Sequence, residues 1–211
     1  PDVMAKIGKH PIPIPKAVTN TLTYTPNTSQ TGVVEDPNYR GVYELSDNKG
    51  TNAGPYTATA TILPAYQNNY CWEGQSETAV SAEISWKIEK RGVTLPEFQF
   101  EPEQRVSYSG EWQRAVVDPV ITSFTYAWVS ETSNDRVATF MNEEVFVVTN
   151  ARAKDANPTE GYTTIATLSD PDNYEWTDDK EEVSHTFGTW YIDKATIQAP
   201  QPEILNDNVK Y

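Results

Sequence analysis

The chain has 211 residues and a formal net charge of -14, with 30 acidic and 16 basic side chains. A nucleic-acid binder needs lysine and arginine to displace counterions from phosphates, so this charge argues against nucleic-acid partners, and it also disfavours docking on anionic membranes. No apolar run approaches the ~18 residues that a membrane-spanning helix needs. Cys71 is the only cysteine, which excludes an intrachain disulfide. Strong net charge favours a soluble, mutually repelling surface.

Residues 1–11 are polar and basic, and they predict an extended N-terminal arm. No apolar stretch follows Pro1 that would indicate a signal peptide. Removal of an initiator methionine would leave a chain that starts in this way, and such a protein would be made and kept in the cytoplasm or released by lysis. A trimmed or matured fragment is an equal alternative.

The first half of the chain contains several strand candidates. Residues 12–15 alternate isoleucine with proline, which is typical of an edge strand because proline cannot donate to a ladder. Residues 20–24 have period-2 character and are rich in strand-forming side chains. The clearest strand is 56–63, and a second is 82–88, where isoleucine and tryptophan share one face.

A second series begins after the short linker at residues 89–92. It opens with Val93-Thr94-Leu95-Pro96, in parallel with residues 12–15. Segment 116–150 is longer than its equivalent in the first copy and carries two apolar alternations, 121–129 and 145–148, which predict extra or extended strands. Residues 195–211 resemble the start of a further repeat. A lone strand of this kind must fray, pair with an edge of its own molecule, or complete a sheet in a neighbour.

The two series are copies of one repeat. Trp72 and Trp86 are 14 residues apart, as are Trp176 and Trp190, and the first of each pair ends an Asn-Tyr-x-Trp sequence. The repeat predicts an arm at 1–11, a first domain at 12–90, a second at 91–194 with insertion 116–150, and a C-terminal strand at 195–211. Strands separated by turn clusters, without a helical apolar period, predict β-sandwich domains.

The repeat resembles the immunoglobulin-like modules that occur in tandem in surface proteins of Firmicutes and in virion proteins of their phages. The family pattern joins an opening I/V-P-x-P, a T-Y-x-G turn, an A-G-x-Y-T strand, an N-Y-x-W turn and a closing T-W-x-I strand. The first copy matches it at Ile14-Pro15, Tyr24, 53–57, 69–72 and 85–88. The second copy matches it at Leu95-Pro96, Tyr108-Ser109-Gly110, 161–163, 170–176 and 189–192.

The resemblance implies an all-β protein of two tandem immunoglobulin-like β-sandwich domains with extended terminal segments. It implies a non-enzymatic structural protein of a phage virion, a head or tail decoration assembled in the host cytoplasm. Its partners would be other virion proteins and itself, in an oligomer or lattice. The alternatives are a fragment of a bacterial cell-surface adhesin or stalk and, with less support, a carbohydrate-binding module that contacts cell-surface glycans.

Searches for catalytic motifs in the sequence find neither a CxxC pair, an HExxH helix nor a Gly-x-Ser-x-Gly elbow. We therefore predict no catalytic residue, cofactor or metal site. The acidic cluster in residues 170–182 could hold Ca²⁺, but its spacing does not match an EF-hand loop, and a solvated turn is favoured. The cluster consists of Asp170, Asp172, Asp178, Asp179, Glu181 and Glu182.

Aromatic side chains divide into two groups. Those that recur in both copies are predicted to be core and corner residues of the sandwich: Tyr70, Trp72, Trp86, Tyr174, Trp176 and Trp190. The aromatics that do not recur are the candidates for sugar or partner contacts, although such residues are more often core: Trp112, Phe124, Tyr126 and Trp128.

The repeat makes one prediction that mutation can test. Trp176→Ala should destabilise its domain by ~3 to 5 kcal/mol, as large-to-small core substitutions do. Thermal unfolding of the variant measures the loss. An unchanged melting temperature would show that Trp176 is a surface binding residue and that the repeat has been misread.

Overall fold

The computed structural model describes residues 7–117 and 123–200. Strands account for 46% of the described residues and helix for 2%. One 3-10 turn, Pro37–Tyr39, is the helical element within the described ranges. The strands form several sheets, consistent with a β-sandwich, and the predicted all-β class is confirmed.

The first copy is built around a three-stranded antiparallel sheet, formed in this order by Tyr43–Ser46 (β3), Gly54–Ile62 (β5) and Ser81–Ile88 (β7). Residues in β5 and β7 alternate between the core and the exterior, and Ala58, Ala60, Ile62, Ile84 and Ile88 are all buried. This is the period of two that the sequence predicts. The strands of this half are β1 (His10–Ile12), β2 (Gln30–Thr31), β3 (Tyr43–Ser46), β4 (Lys49–Gly50), β5 (Gly54–Ile62), β6 (Tyr70–Trp72) and β7 (Ser81–Ile88).

The second copy repeats that order within a wider sheet. Its strands are β8 (Arg91–Val93), β9 (Glu97–Phe98), β10 (Arg105–Ser107), β11 (Gln113–Arg114), β12 (Val116–Val117), β13 (Thr125–Trp128), β14 (Arg136–Phe140), β15 (Glu143–Thr149), β16 (Arg152–Ala153), β17 (Tyr162–Leu168), β18 (Tyr174–Trp176) and β19 (Ser184–Asp193). The six-stranded order is β10-β19-β17-β15-β14-β13. Strands β15, β17 and β19 therefore occupy the places that β3, β5 and β7 take in the first copy.

Insertion 116–150 contributes the extra strands, but not as a simple pair. The predicted strands at 121–129 and 145–148 correspond to β13 and β15, and β14 lies between them as the partner of both. Strand β14 is not predicted from the sequence, because only Ala138 in it is fully buried and no apolar alternation marks it. Residues 121 and 122 of the predicted strand lie outside the described part of the chain.

Both copies open with the same unusual strand pairing. In the first, β1 runs parallel to β6, and in the second β8 runs parallel to β18. The pairing has the same register in both, since His10 lies opposite Tyr70 and Arg91 lies opposite Tyr174. The internal repeat of the sequence is thus matched by a repeat of hydrogen-bonded structure. Strand β1 begins inside the segment that was assigned to the arm.

The repeated tryptophans occupy the core. Trp72 and Trp176 are 1% and 0% exposed, and each packs edge-on against an aromatic ring of the central sheet at 5.3 and 5.2 Å. Those rings belong to Tyr43 and Phe146. Tyr70 alone among the six repeated aromatics is only half-buried. The core placement predicted from the repeat is confirmed for the other five.

Two predicted strands are not formed as strands. Residues 20–24 contribute a single bridge, Thr23 to Glu89, with Tyr24 N–H donating to the Glu89 carbonyl at 2.9 Å. Residues 195–200 contain no strand, and Ile197 is 90% exposed. The rest of the predicted C-terminal strand, 201–211, lies outside the described residues, as do the first six residues of the predicted arm.

The two copies contact each other directly around Arg91. Its guanidinium donates from Nε to the Tyr24 carbonyl at 2.8 Å and from Nη2 to Thr25 Oγ1 at 3.2 Å. The same guanidinium lies 4.6 Å from the ring centroid of Phe140. Arg91 therefore ties the start of the second copy to both a turn of the first and a strand of the insertion.

A second group of contacts buries two tyrosines in the same junction. Tyr24, which is 4% exposed, donates its hydroxyl to Glu143 Oε2 at 2.8 Å and packs edge-on against Tyr174 at 5.3 Å. Nearby, the backbone N–H of Ala53 donates to the side-chain oxygen of Asn173 at 2.7 Å. Residues from both copies accordingly belong to one continuous buried cluster.

The junction predicts how stability depends on alkaline pH. Burial raises the pKa of Tyr174 to about 12. Burial and the hydrogen bond to Glu143 also raise the pKa of Tyr24. An unfolded tyrosine ionises near ~10, so the stabilisation is complete below that pH and is lost as pH rises through about 12.

We expect the free energy of unfolding to fall between pH 10 and 12, and to fall less in a Tyr24→Phe, Tyr174→Phe double variant. Urea titrations at pH 9 and 11 measure this, with tyrosinate absorbance reporting ionisation in the folded state. Equal losses in the wild type and the double variant would contradict the junction as the origin.

Candidate functional site

Four short strands of the second copy bring arginine and tryptophan side chains together. Arg114 lies in β11 opposite Arg152 in β16, and Trp128 lies in β13 opposite Arg136 in β14. Trp112 immediately precedes β11. We call these five residues the arginine–tryptophan cluster. It is the only group of three guanidinium groups around one ring in the part of the chain that the structure describes.

Arg152 is the buried centre of this cluster. Its guanidinium carbon lies 3.9 Å from the ring centroids of both Trp112 and Trp128, and the residue is only 7% exposed. Guanidinium groups are weakly hydrated and planar, which suits them to aromatic faces more than an ammonium group. The two indoles therefore provide much of the environment that replaces water around this charge.

The remaining donors of Arg152 hold a turn. Nε donates to the Ser133 carbonyl at 3.0 Å, and Nη2 donates to the carbonyls of Ser130 and Glu131 at 3.1 and 2.9 Å. All of these acceptors lie in the loop between β13 and β14. The buried charge is thus stabilised by carbonyl dipoles, and its hydrogen bonds hold the loop that follows Trp128.

The three guanidinium groups of the cluster repel one another. Burial lowers the pKa of the Arg152 guanidinium, and the charges of Arg114 and Arg136 lower it further. These two guanidinium groups lie 5.5 and 4.6 Å from the ring centroid of Trp128. Three of the six arginines in an acidic chain therefore surround one indole.

An open cleft of about 240 Å³ borders the cluster. Charged and polar groups form one part of its wall and two valines of β12 form another. The lining residues are Gln99, Arg114, Val116, Val117, Trp128 and Arg136. The Arg114 guanidinium and the Gln99 amide on this wall offer N–H donors, from which an anion can accept hydrogen bonds.

The four aromatics predicted as contacts fall into two places. Trp112 and Trp128 meet at Arg152, so each presents an indole face to a guanidinium. Phe124 packs on Phe140 at 5.4 Å, and Tyr126 lies 6.2 Å from Phe146. Phe124 and Tyr126 are partly buried against the core.

The sequence alone does not predict that the three arginines of the cluster lie together. They are separated by 22 and 16 residues, and each sits in a different strand, so no local spacing links them. Their positive charge in an acidic chain is the one signal that the sequence offers. It does not indicate which basic residues contact one another.

The acidic cluster of residues 170–182 forms a turn. Asp170 accepts from the Asn173 side-chain amide at 2.7 Å, and its carbonyl accepts from the backbone N–H groups of Asn173 and Tyr174. Asp178, Asp179, Glu181 and Glu182 are exposed. No three potential metal ligands converge within residues 7–117 and 123–200.

The two histidines and the cysteine each have local neighbours. His10 packs edge-on against Tyr70 at 5.9 Å, and His185 against Phe187 at 4.9 Å. Cys71 is a buried free thiol beside Trp72 in β6.

Comparisons with known proteins add no relative: no family model, no curated protein and no solved structure matches this chain. In the described ranges, no helix has the length and apolar character to cross a membrane.

The cluster predicts that the shape of Arg152 matters as well as its charge. Arg152→Lys keeps the charge but loses the planar fork, so we expect a loss of at least about 2 kcal/mol in the free energy of unfolding, because hydrogen bonds of charged groups are worth roughly 1.5–3 kcal/mol. Urea denaturation measures it.

Arg105→Lys is the matched control, because Arg105 pairs with Asp193 at a half-exposed position. Exposed ion pairs contribute about 1 kcal/mol or less. Similar losses in the two variants would contradict the structural role of Arg152.

Proposed function

We propose that this chain is a non-enzymatic structural protein of a phage virion, a head or tail decoration made of two tandem immunoglobulin-like β-sandwich domains. One terminus or one domain anchors to a lattice formed by other virion proteins or by copies of this chain. The other domain projects from that lattice. Repeated copies on a particle would add avidity to any contact that the projecting domain makes.

The observation that carries this proposal is the junction between the two copies. Domains joined by a linker move relative to each other unless their interface is substantial. Here the linker is itself bonded on both sides: the Glu89 N–H donates to the Leu22 carbonyl at 2.8 Å, and the Arg91 N–H donates to the Asn173 carbonyl at 2.9 Å. Only Lys90 lies between them, and its Nζ donates to the Pro171 carbonyl at 2.7 Å.

A short linker that is hydrogen-bonded to both copies supports a mechanical role. The two copies are held in one orientation by hydrogen bonds, by the Arg91 guanidinium and by the buried tyrosines. A force on one copy is therefore transmitted to the other, and the two move together. A projecting component of a particle needs this property. The immunoglobulin-like assignment is supported by the motif resemblance and by the order that β3-β5-β7 and β15-β17-β19 share.

A fragment of a bacterial surface adhesin or stalk is the second candidate. The same junction favours it, because a stalk also needs stiff connections between modules. The virion assignment is preferred on the resemblance to phage modules and on the acidic surface charge. A carbohydrate-binding module has less support, since Trp112 and Trp128 hold a guanidinium against their rings.

The experiment that separates these candidates is the intact mass of the natural protein together with its oligomeric state. We expect a mass near 23.7 kDa in a symmetric oligomer or particle, and labelling of purified phage particles by an antibody against this chain. A much larger parent chain, with this piece monomeric and no particle labelled, would reject the virion role and support the adhesin. Antibody against an unrelated cytoplasmic protein of the same host is the control.

A further inference from the structure

The arginine–tryptophan cluster concentrates positive charge in a protein whose net charge is -14. Arg152 serves the fold, since its donors hold a turn and its faces meet two indoles. A structural role of this kind does not explain Arg114. It is exposed, and its recorded contact is with the Trp128 ring, at 5.5 Å.

The strand pairing places Arg114 where its charge lowers the stability of the sheet. Arg114 and Arg152 are directly opposite partners in the antiparallel pair β11–β16. Like charges at such positions destabilise a sheet. Within residues 7–117 and 123–200, neither guanidinium contacts a carboxylate. A negative group bound beside them would offset the repulsion.

The cleft next to these arginines has the chemistry to receive such a group. Arg114 and Gln99 are exposed on its wall, and Val117 is 43% exposed beside them. Guanidinium groups bind carboxylates through two parallel N–H donors, which gives both strength and orientation. The valines offer apolar contact to the aliphatic part of a ligand that carries the carboxylate.

We propose that this cleft binds a carboxylate side chain from an acidic peptide segment of a partner protein. A peptide fits better than an acidic sugar because sugars stack on open aromatic faces, whereas Trp112 and Trp128 each hold a guanidinium. Strand β13 is also the last strand of its sheet in the described residues, and its residue Trp128 lines the cleft. An extended peptide can pair with such an edge while its side chain enters the cleft. The site does not depend on the virion assignment.

Fluorescence polarisation of a fluorescein-labelled hexaglutamate peptide at low salt tests the site on the full chain. We expect saturable binding to the wild type and about tenfold weaker binding to Arg114→Gln, the loss that corresponds to one charge-assisted contact. Arg105→Gln is the matched control, because it removes one exposed arginine elsewhere in the same copy, and we expect its affinity to stay within about twofold of the wild type. Circular dichroism should show both variants folded, since both side chains are exposed or half-exposed.

Several outcomes would overturn the proposal. Failure of the wild type to bind the peptide would do so, as would equal losses in Arg114→Gln and Arg105→Gln, which would indicate unspecific charge attraction. Tighter binding of hexagalacturonate than of hexaglutamate would assign the cleft to an acidic glycan.

Discussion

Trp72 and Trp176 each donate the indole N–H to a valine carbonyl, at 3.2 and 3.3 Å. The same carbonyls, of Val80 and Val183, also accept a backbone N–H from the end of the long central strand. One buried side chain in each copy therefore ties three things together: the parallel opening strand, the central strand and the segment that leads into the closing strand. A tryptophan suits this position because it fills a large volume and satisfies its single polar atom internally. The strand of the parallel pair, the central strand and the segment before the closing strand all meet at this side chain.

The two copies keep this framework and differ in the strands that segment 116–150 contributes. In the first copy the sheet stops at β3. In the second, insertion 116–150 adds β14 and β13 beyond β15, and these strands carry Trp128 and Arg136 into the arginine–tryptophan cluster. Glu143 and Phe140, at the facing ends of β15 and β14, contribute to the junction. The divergent segment thus supplies one side of the contact between the copies as well as the positive cleft.

The buried faces of the main strands could be predicted from the sequence. Alternation in β5 and β7 and the recurrence of Asn-Tyr-x-Trp predicted which residues are buried, because a strand with one buried face must repeat every two residues. Strand β14 could not be predicted, because its half-buried positions follow no such pattern. Of the candidate site, the sequence indicated Trp112 and Trp128 but not the arginines, since cation–aromatic contacts leave no periodic signature.

By itself, then, the sequence determined the all-β class, the repeat and the core tryptophans, because hydrophobic burial leaves a pattern along the chain. Only the tertiary structure decided that Arg91 joins the copies and that Arg114, Arg136 and Arg152 surround Trp128. It also decided that His10 to Ile12 pairs in parallel with the strand that ends at Trp72. These contacts join residues far apart in sequence, and their partners are chosen by how the sheets fold over one another and not by any spacing within a strand.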